Sequence, residues 1–155
     1  MSNEDLRLRG QLCFRLYTAS RLIVKSYTPL LSGLGLTYPQ YLVMMVMWET
    51  DGLTVNEIGG RLMLQTNTVT PLLKRMEQMG LVERRRGEGD KRRVIVALTE
   101  RGRAMEREAS RIPQAQVSRM LCNGATEETI PGLLPRLDSV IEILRGMTGE
   151  KEAQE

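Results

Sequence analysis

Histidine is absent from all 155 residues, so no imidazole is available for catalysis, metal binding or pH sensing. Cysteine occurs twice, as Cys13 and Cys122, too few and too far apart for a secreted disulfide framework or a zinc site. The longest unbroken apolar run is YLVMMVMW, Tyr41 to Trp48, well below the about 20 residues that a membrane-spanning helix needs. The opening MSNEDLRLRG mixes charges of both signs and has no apolar stretch, so the sequence predicts no signal peptide, no membrane association and a cytoplasmic location. No phosphate-binding glycine loop, dinucleotide fingerprint, metal cluster or triad pattern is visible. Neither an enzyme nor a cofactor is therefore expected. With one phenylalanine and one tryptophan, aromatic chemistry rests mainly on Tyr17, Tyr27, Tyr38 and Tyr41.

What is present reads as a single soluble domain over residues 1–155, with ordinary apolar and charged content. The formal charge of +3 is small, but its placement is uneven. RRRGEGDKRR, Arg84 to Arg93, sets six basic residues against two acidic ones. Such blocks bind phosphate backbones or lie as solvated loops.

Helical periodicity runs from about Leu6 to Leu31, with Leu12, Leu16, Ala19, Ile23 and Ser26 on one face. SGLGLT breaks it, and Pro39 suits the first turn of a second helix that is apolar all round and hence buried. Thr54 with Glu57 makes a capping box for a short helix from about Val55 to Leu62. Another helix is predicted from Thr66 to Met79, closed by Gly80, with Val69, Leu72, Leu73, Met76 and Met79 facing inward. Its outward face then carries Asn67, Thr70, Pro71, Lys74, Arg75 and Gln78. Two short helices joined by a tight turn describe a helix-turn-helix whose second helix can enter a major groove. LVERRR and RRVIVALT are β-prone runs around the turn-rich GEGDK, which makes an arginine-tipped hairpin, or wing. Thr99 opens the next helix, which runs to a break at Pro113. A further helix ends near Leu121, and the last spans about Glu127 to Gly146, with Pro135 inside it unexplained. The fold class expected is mainly α with a small β-hairpin wing.

This order, with "RRRGEGDKRRV" and "ALTERG", resembles the winged-helix transcription regulators of the multiple-antibiotic-resistance-regulator type over roughly residues 8 to 146. Within them, "LCFRLY", "YTPLL", "LGLTYPQYLVMMVMWE" and "TPLLKRMEQMGLVERRR" are similar to the organic-hydroperoxide-sensing repressors. The resemblance implies a homodimer on a pseudo-palindromic operator in double-stranded DNA. Residues 53–98 would form the DNA-binding region, and the helices of 6–34 and 100–148 the dimer. It implies that Cys13 is the peroxide-reactive thiol, that Tyr27 and Tyr38 hydrogen-bond to it, and that Cys122 is a resolving thiol forming an intersubunit disulfide. The sequence alone leaves the pairing open between and within subunits. Phenol hydroxyls can favour a thiolate by donating hydrogen bonds, lowering its pKa from about 8.5. Tyr27 is 14 residues from Cys13, about 21 Å along one helix, so a Tyr27 that touches Cys13 comes from a second subunit.

For DNA, Thr66, Asn67 and Thr68 would approach base edges, Lys74 and Arg75 phosphates, and Arg92 the minor groove. The subfamily usually opens this helix with D-S-G-T, whereas this chain has Gln65-Thr66-Asn67-Thr68, and asparagine can read adenine where glycine reads nothing. The wing reads Asp90-Lys91-Arg92, with lysine where the subfamily often has glutamate. Two alternatives stand beside the thiol switch. One is a repressor of the same fold released by a non-covalent aromatic or acidic ligand, with Cys13 as core packing. The other is a thiol peroxidase, for which a helix-turn-helix has no use.

Overall fold

A computed structural model describes residues 6–86 and 94–149. Helix α1 (Leu12–Leu31) leads through a 3-10 turn at Ser32–Leu34 to α2 (Tyr38–Glu49). Strand β1 (Leu53–Thr54), α3 (Val55–Leu62), α4 (Thr66–Gln78), β2 (Val82–Arg86) and β3 (Val94–Leu98) follow. The chain ends in α5 (Glu100–Ala109), α6 (Ile112–Cys122) and α7 (Thr129–Thr148).

The expected first helix begins later than its periodicity suggests. Leu8–Gly10 form a separate 3-10 turn, and Gln11 is extended at φ −81°, ψ 122° before α1 starts. Gly10 explains the offset, because a glycine inside a helix costs about 1 kcal/mol relative to alanine. The buried second helix is as expected. Gln40 Oε1 accepts from the Thr37 N–H at 2.8 Å, Pro39 lies in the first turn, and Tyr41, Val43, Met44, Val46 and Met47 are buried.

The capping box also forms. Thr54 Oγ1 accepts from the Glu57 N–H at 3.2 Å, and Glu57 Oε2 accepts from the Thr54 N–H at 2.6 Å. The turn after α3 is tight enough that a Cβ on Gly59 would sit 2.7 Å from Leu64 O, so only glycine fits there. Met63 takes the left-handed conformation at φ 53°. At the end of α4, the Gly80 N–H donates to Glu77 O and the Leu81 N–H to Met76 O, at 2.9 and 3.0 Å. Gly80 has φ 69°, so this is the double-bonded glycine stop that the sequence predicts. The inward stripe of α4 is narrower than expected: Val69, Leu73 and Met76 are buried, while Leu72 and Met79 are half-buried.

The wing hairpin is present with a third strand that the sequence reading lacks. The order is β1-β3-β2, all antiparallel, with Leu53 opposite Val96, Val82 opposite Leu98, and Arg86 opposite Val94. The two-residue β1 is too short to show a period of two, which is why pattern alone did not reveal it. The tip, residues 87–93 including Arg92, lies outside the described residues.

Thr99 caps α5, its Oγ1 accepting the Gly102 N–H at 3.0 Å. The cap is one-sided, since glycine has no side chain to answer it. Pro113 sits in the first turn of α6, and the break falls just before it at Ser110 and Arg111. Both Pro131 and Pro135 lie within α7. Pro135 has no N–H for its i−4 carbonyl, and Ser139 Oγ donates to Pro135 O at 2.9 Å.

The core is one cluster from α2, α3, α4 and the sheet, closed by Leu31, Ala109 and Ile112. Val43, Ile58, Val69, Met76 and Val96 are fully shielded. Burying an aliphatic side chain of this kind contributes about 1.5–3 kcal/mol. On α1 only Leu31 is buried; along the face through Leu12, Leu16, Ala19, Ile23 and Ser26, Leu12 and Ala19 are exposed while Leu16, Ile23 and Ser26 are half-buried. α1 meets α6 at a polar point, where Gln116 Nε2 donates to Ser26 Oγ at 2.6 Å. No residue of α7 is buried.

Candidate nucleic-acid interface and thiol site

The helix-turn-helix exposes the side chains that the sequence nominated. Thr66, Asn67, Thr68, Lys74 and Arg75 are all exposed, with the buried stripe behind them. The start of α4 is held rigidly. Thr66 Oγ1 donates to Asn56 Oδ1 at 3.1 Å, which ties α4 to the first turn of α3. Thr70 Oγ1 donates to Thr66 O at 2.7 Å, and Thr68 Oγ1 to Asn67 Oδ1 at 3.3 Å. These bonds use the hydroxyl hydrogens of all three threonines and leave the Asn67 amide N–H groups as outward donors. Pro71 cannot donate to the Asn67 carbonyl, so that acceptor is also free of its helical partner.

The arginine block is less uniformly basic than its sequence. Arg84 Nε donates to Glu77 Oε2 at 2.9 Å, which clamps the wing stem onto the end of α4. This hydrogen bond holds the Glu77 carboxyl below its ordinary range and the Arg84 guanidinium above its own. Arg85 is paired with Glu83 on the same strand. The wing root is braced separately. Asp51 Oδ1 accepts the Leu98 N–H at 2.8 Å, and its other oxygen pairs with Arg103 of α5. Asn56 and Asp51 were not foreseen, because each works through a partner far along the chain.

Cys13 is the second residue of α1 and Cys122 the last of α6; both are free and exposed. Tyr27 and Tyr38 come together, with ring centroids 4.8 Å apart. Tyr41 completes a triangle at 6.1 and 6.4 Å and meets Trp48 at 6.3 Å. Burial raises the Tyr27, Tyr38 and Tyr41 pKa values above 10, with mutual repulsion adding to the effect at Tyr27 and Tyr41. The phenols therefore stay protonated and can act as donors. Cys13 is not brought to them within this chain, since α1 runs unbroken between Cys13 and Tyr27, about 21 Å at the usual rise. Tyr17 is engaged elsewhere, its ring lying 5.6 Å from the Arg21 guanidinium carbon.

The three helices outside the core expose large apolar side chains. Leu12 and Leu22 of α1 are each 60% exposed, Leu121 lies beside Cys122, and Ile143 and Met147 of α7 are 63% and 76% exposed. Exposed apolar side chains in such number on three helices mark candidate interaction surfaces. Among the described residues, no group of three or more Cys, Asp or Glu could hold a metal ion. No single described helix is long and apolar enough to cross a membrane.

Residues 25–108 match the family model of transcriptional regulator SarA/Rot. The organic hydroperoxide resistance transcriptional regulator of Bacillus subtilis (strain 168) is 48% identical over 110 residues, which cover 71% of this chain and 75% of that protein. The regulator TtmR of Methylorubrum extorquens (strain PA1) is 42% identical over 150 residues, covering 97% of this chain and 75% of its own. Among solved structures, AbfR of Staphylococcus epidermidis is similar in more than one state. Reduced AbfR bound to DNA matches with a TM-score of 0.71 at 35% identity, covering 91% of this chain and 96% of that one. Its disulfide form matches with a TM-score of 0.64 at 38% identity, covering 90% and 95%.

Proposed function

The chain belongs to the SarA/Rot family of winged-helix transcriptional regulators, and on that premise we propose that it is a homodimeric repressor released from its operator when organic hydroperoxides oxidise Cys13. Its site of action is the cytoplasm, where the DNA is, and it needs no cofactor. α4 supplies base contacts through Thr66, Asn67 and Thr68 and phosphate contacts through Lys74 and Arg75; Arg92 at the wing tip enters the minor groove. The apolar faces of α1, α6 and α7 form the dimer, with residues 6–34 and 100–148 contributing its helices and residues 53–98 reading DNA.

The observation that carries this reading is the position of the protonated Tyr27–Tyr38 pair, at the far end of α1 from Cys13. Antiparallel pairing of α1 with its copy across a two-fold axis brings the tyrosines of one subunit to the cysteine of the other. Their hydroxyls then donate to the thiolate and favour it. The thiolate attacks one oxygen of the hydroperoxide, and the O–O bond breaks. An alkoxide leaves and takes a proton as the alcohol, and Cys13 becomes a sulfenic acid, oxidised by two electrons. The Cys122 thiol then attacks that sulfur and expels water, forming a disulfide. Both thiols are exposed, which such an exchange requires.

Oxidation changes the spacing of the two α4 helices. Half-sites lie about 34–36 Å apart, so a dimer held off that spacing loses base and phosphate contacts together.

A gel shift with and without an organic hydroperoxide tests the proposal in wild type, Cys13→Ser and Cys122→Ser. Peroxide is expected to release the wild type and leave Cys13→Ser bound, and the Cys122→Ser lane reports whether release needs the disulfide. Equal release of Cys13→Ser would refute the thiol switch and point to a non-covalent ligand.

A further inference from the structure

The carbonyls at the end of α4 are taken up by the first turn of α5. Met79 O accepts from Arg101 Nη1 at 2.6 Å, Gly80 O from Thr99 Oγ1 at 2.7 Å, and Leu81 O from the Thr99 N–H at 3.1 Å. The same turn is fixed on its other side. The Gly102 carbonyl accepts the Trp48 indole N–H at 3.0 Å. A Cβ on Gly102 would lie 2.1 Å from Leu81 O, so α5 presses directly on the backbone that leaves α4. Thr99 and Gly102 are needed simply to build this corner. Arg101 is not: its side chain is exposed, takes no part in the α5 cap, and reaches back to α4.

Beside this contact sits Gly80 at φ 69°, where a Cβ would lie 3.9 Å from Arg101 Nη1, so the arginine packs directly over the turn that ends α4. α4 has 13 residues, about 20 Å of lever, so a rotation of about 3° at its C-terminal end moves Thr66 by about 1 Å. Hydrogen bonds to base edges tolerate no such error. A cation on the last carbonyls also complements the helix dipole.

We propose that Arg101 is a positioning residue for operator recognition, acting through the Met79 carbonyl to fix the pose in which α4 presents Thr66, Asn67 and Thr68. The inference rests on α4 being the base-reading helix, and is independent of Cys13.

The test uses the full-length protein kept reduced, as wild type, Arg101→Gln and Arg101→Lys. Binding is read by fluorescence anisotropy over a salt series, on a 30-base-pair duplex that the wild type enriches from a random pool and on a scrambled duplex. Arg101→Gln is expected to lose about tenfold on the enriched duplex and less than about twofold on the scrambled one, with the salt slope unchanged. Arg101→Lys, which keeps the length and positive charge that reach the carbonyl where the shorter neutral glutamine does not, should recover most of the loss. Melting temperatures should agree within about 2 °C, since the side chain is exposed. An equal loss on both duplexes with a slope lower by about one would make Arg101 a phosphate contact and overturn the proposal. So would unchanged binding by Arg101→Gln. If the wild type enriches no sequence, the base-reading role of α4 falls and the proposal falls with it.

Discussion

From Tyr38 to Leu98 the chain finds the partners for its apolar side chains within itself, burying Val43, Ile58, Leu73, Met76 and Val96 almost without exposure. α7, at twenty residues one of the two longest helices, buries none, and α1 of the same length buries only Leu31. An isolated helix gains little from propensity alone and is stabilised mainly by packing its apolar face. The winged helix-turn-helix thus fills its core within one copy, while α1 and α7 leave apolar side chains exposed. In the proposed function, a signal at the cysteines acts on the arrangement of two such units without unfolding either.

The contrast yields predictions of decreasing size. Leu73→Ala, in the self-contained half, should destabilise the chain by about 2–5 kcal/mol, seen as a lower melting temperature at every protein concentration. Ile143→Glu with Met147→Glu, on the exposed face of α7, should instead turn dimers into monomers in sedimentation equilibrium at micromolar concentration. That double variant should keep the circular dichroism of a folded winged unit; a fully unfolded spectrum would break the distinction. Thr54→Ala removes the acceptor for the Glu57 N–H and should cost about 1 kcal/mol in denaturant unfolding. The smallest effect is a pH dependence. Burial raises the Tyr27 and Tyr38 pKa values above 10, so their contribution is intact below about pH 10 and is lost as pH rises from there through the folded values. Replacing both with phenylalanine should flatten the alkaline fall of the melting temperature.

The reading half was legible in the sequence because its signals are local. Thr54 and Glu57 lie three residues apart, Gly80 directly follows the α4 stripe, and the wing strands flank a glycine-rich turn. Strand β1 was not legible, because two residues carry no periodicity and exist as a strand only by pairing with Val96 and Ile95. Asp51, Asn56, Arg101 and Gln116 escaped for a related reason. Each is an ordinary polar residue whose role appears only when a distant segment arrives: Leu98 N–H for Asp51, Thr66 for Asn56, Met79 O for Arg101 and Ser26 for Gln116. The arginine run misled in degree, since sequence counts charge but not the Glu77 and Glu83 partners of Arg84 and Arg85. For the thiol site, the Tyr27–Tyr38 pairing is visible in one chain, and in the proposed function the meeting with Cys13 arises only across a dimer.

Mixed dimers test that last point most directly. One protomer carries Cys13→Ser and its partner carries Tyr27→Phe with Tyr38→Phe, so the remaining Cys13 faces intact tyrosines only if these come from across the interface. The control dimer joins a wild-type protomer to one bearing all three substitutions. The account predicts rapid oxidation of Cys13 by an organic hydroperoxide in the first dimer and slow oxidation in the second, read by mass spectrometry of the trapped sulfenic acid. The reverse order would place the tyrosines and the cysteine they serve in the same chain, and would contradict the account.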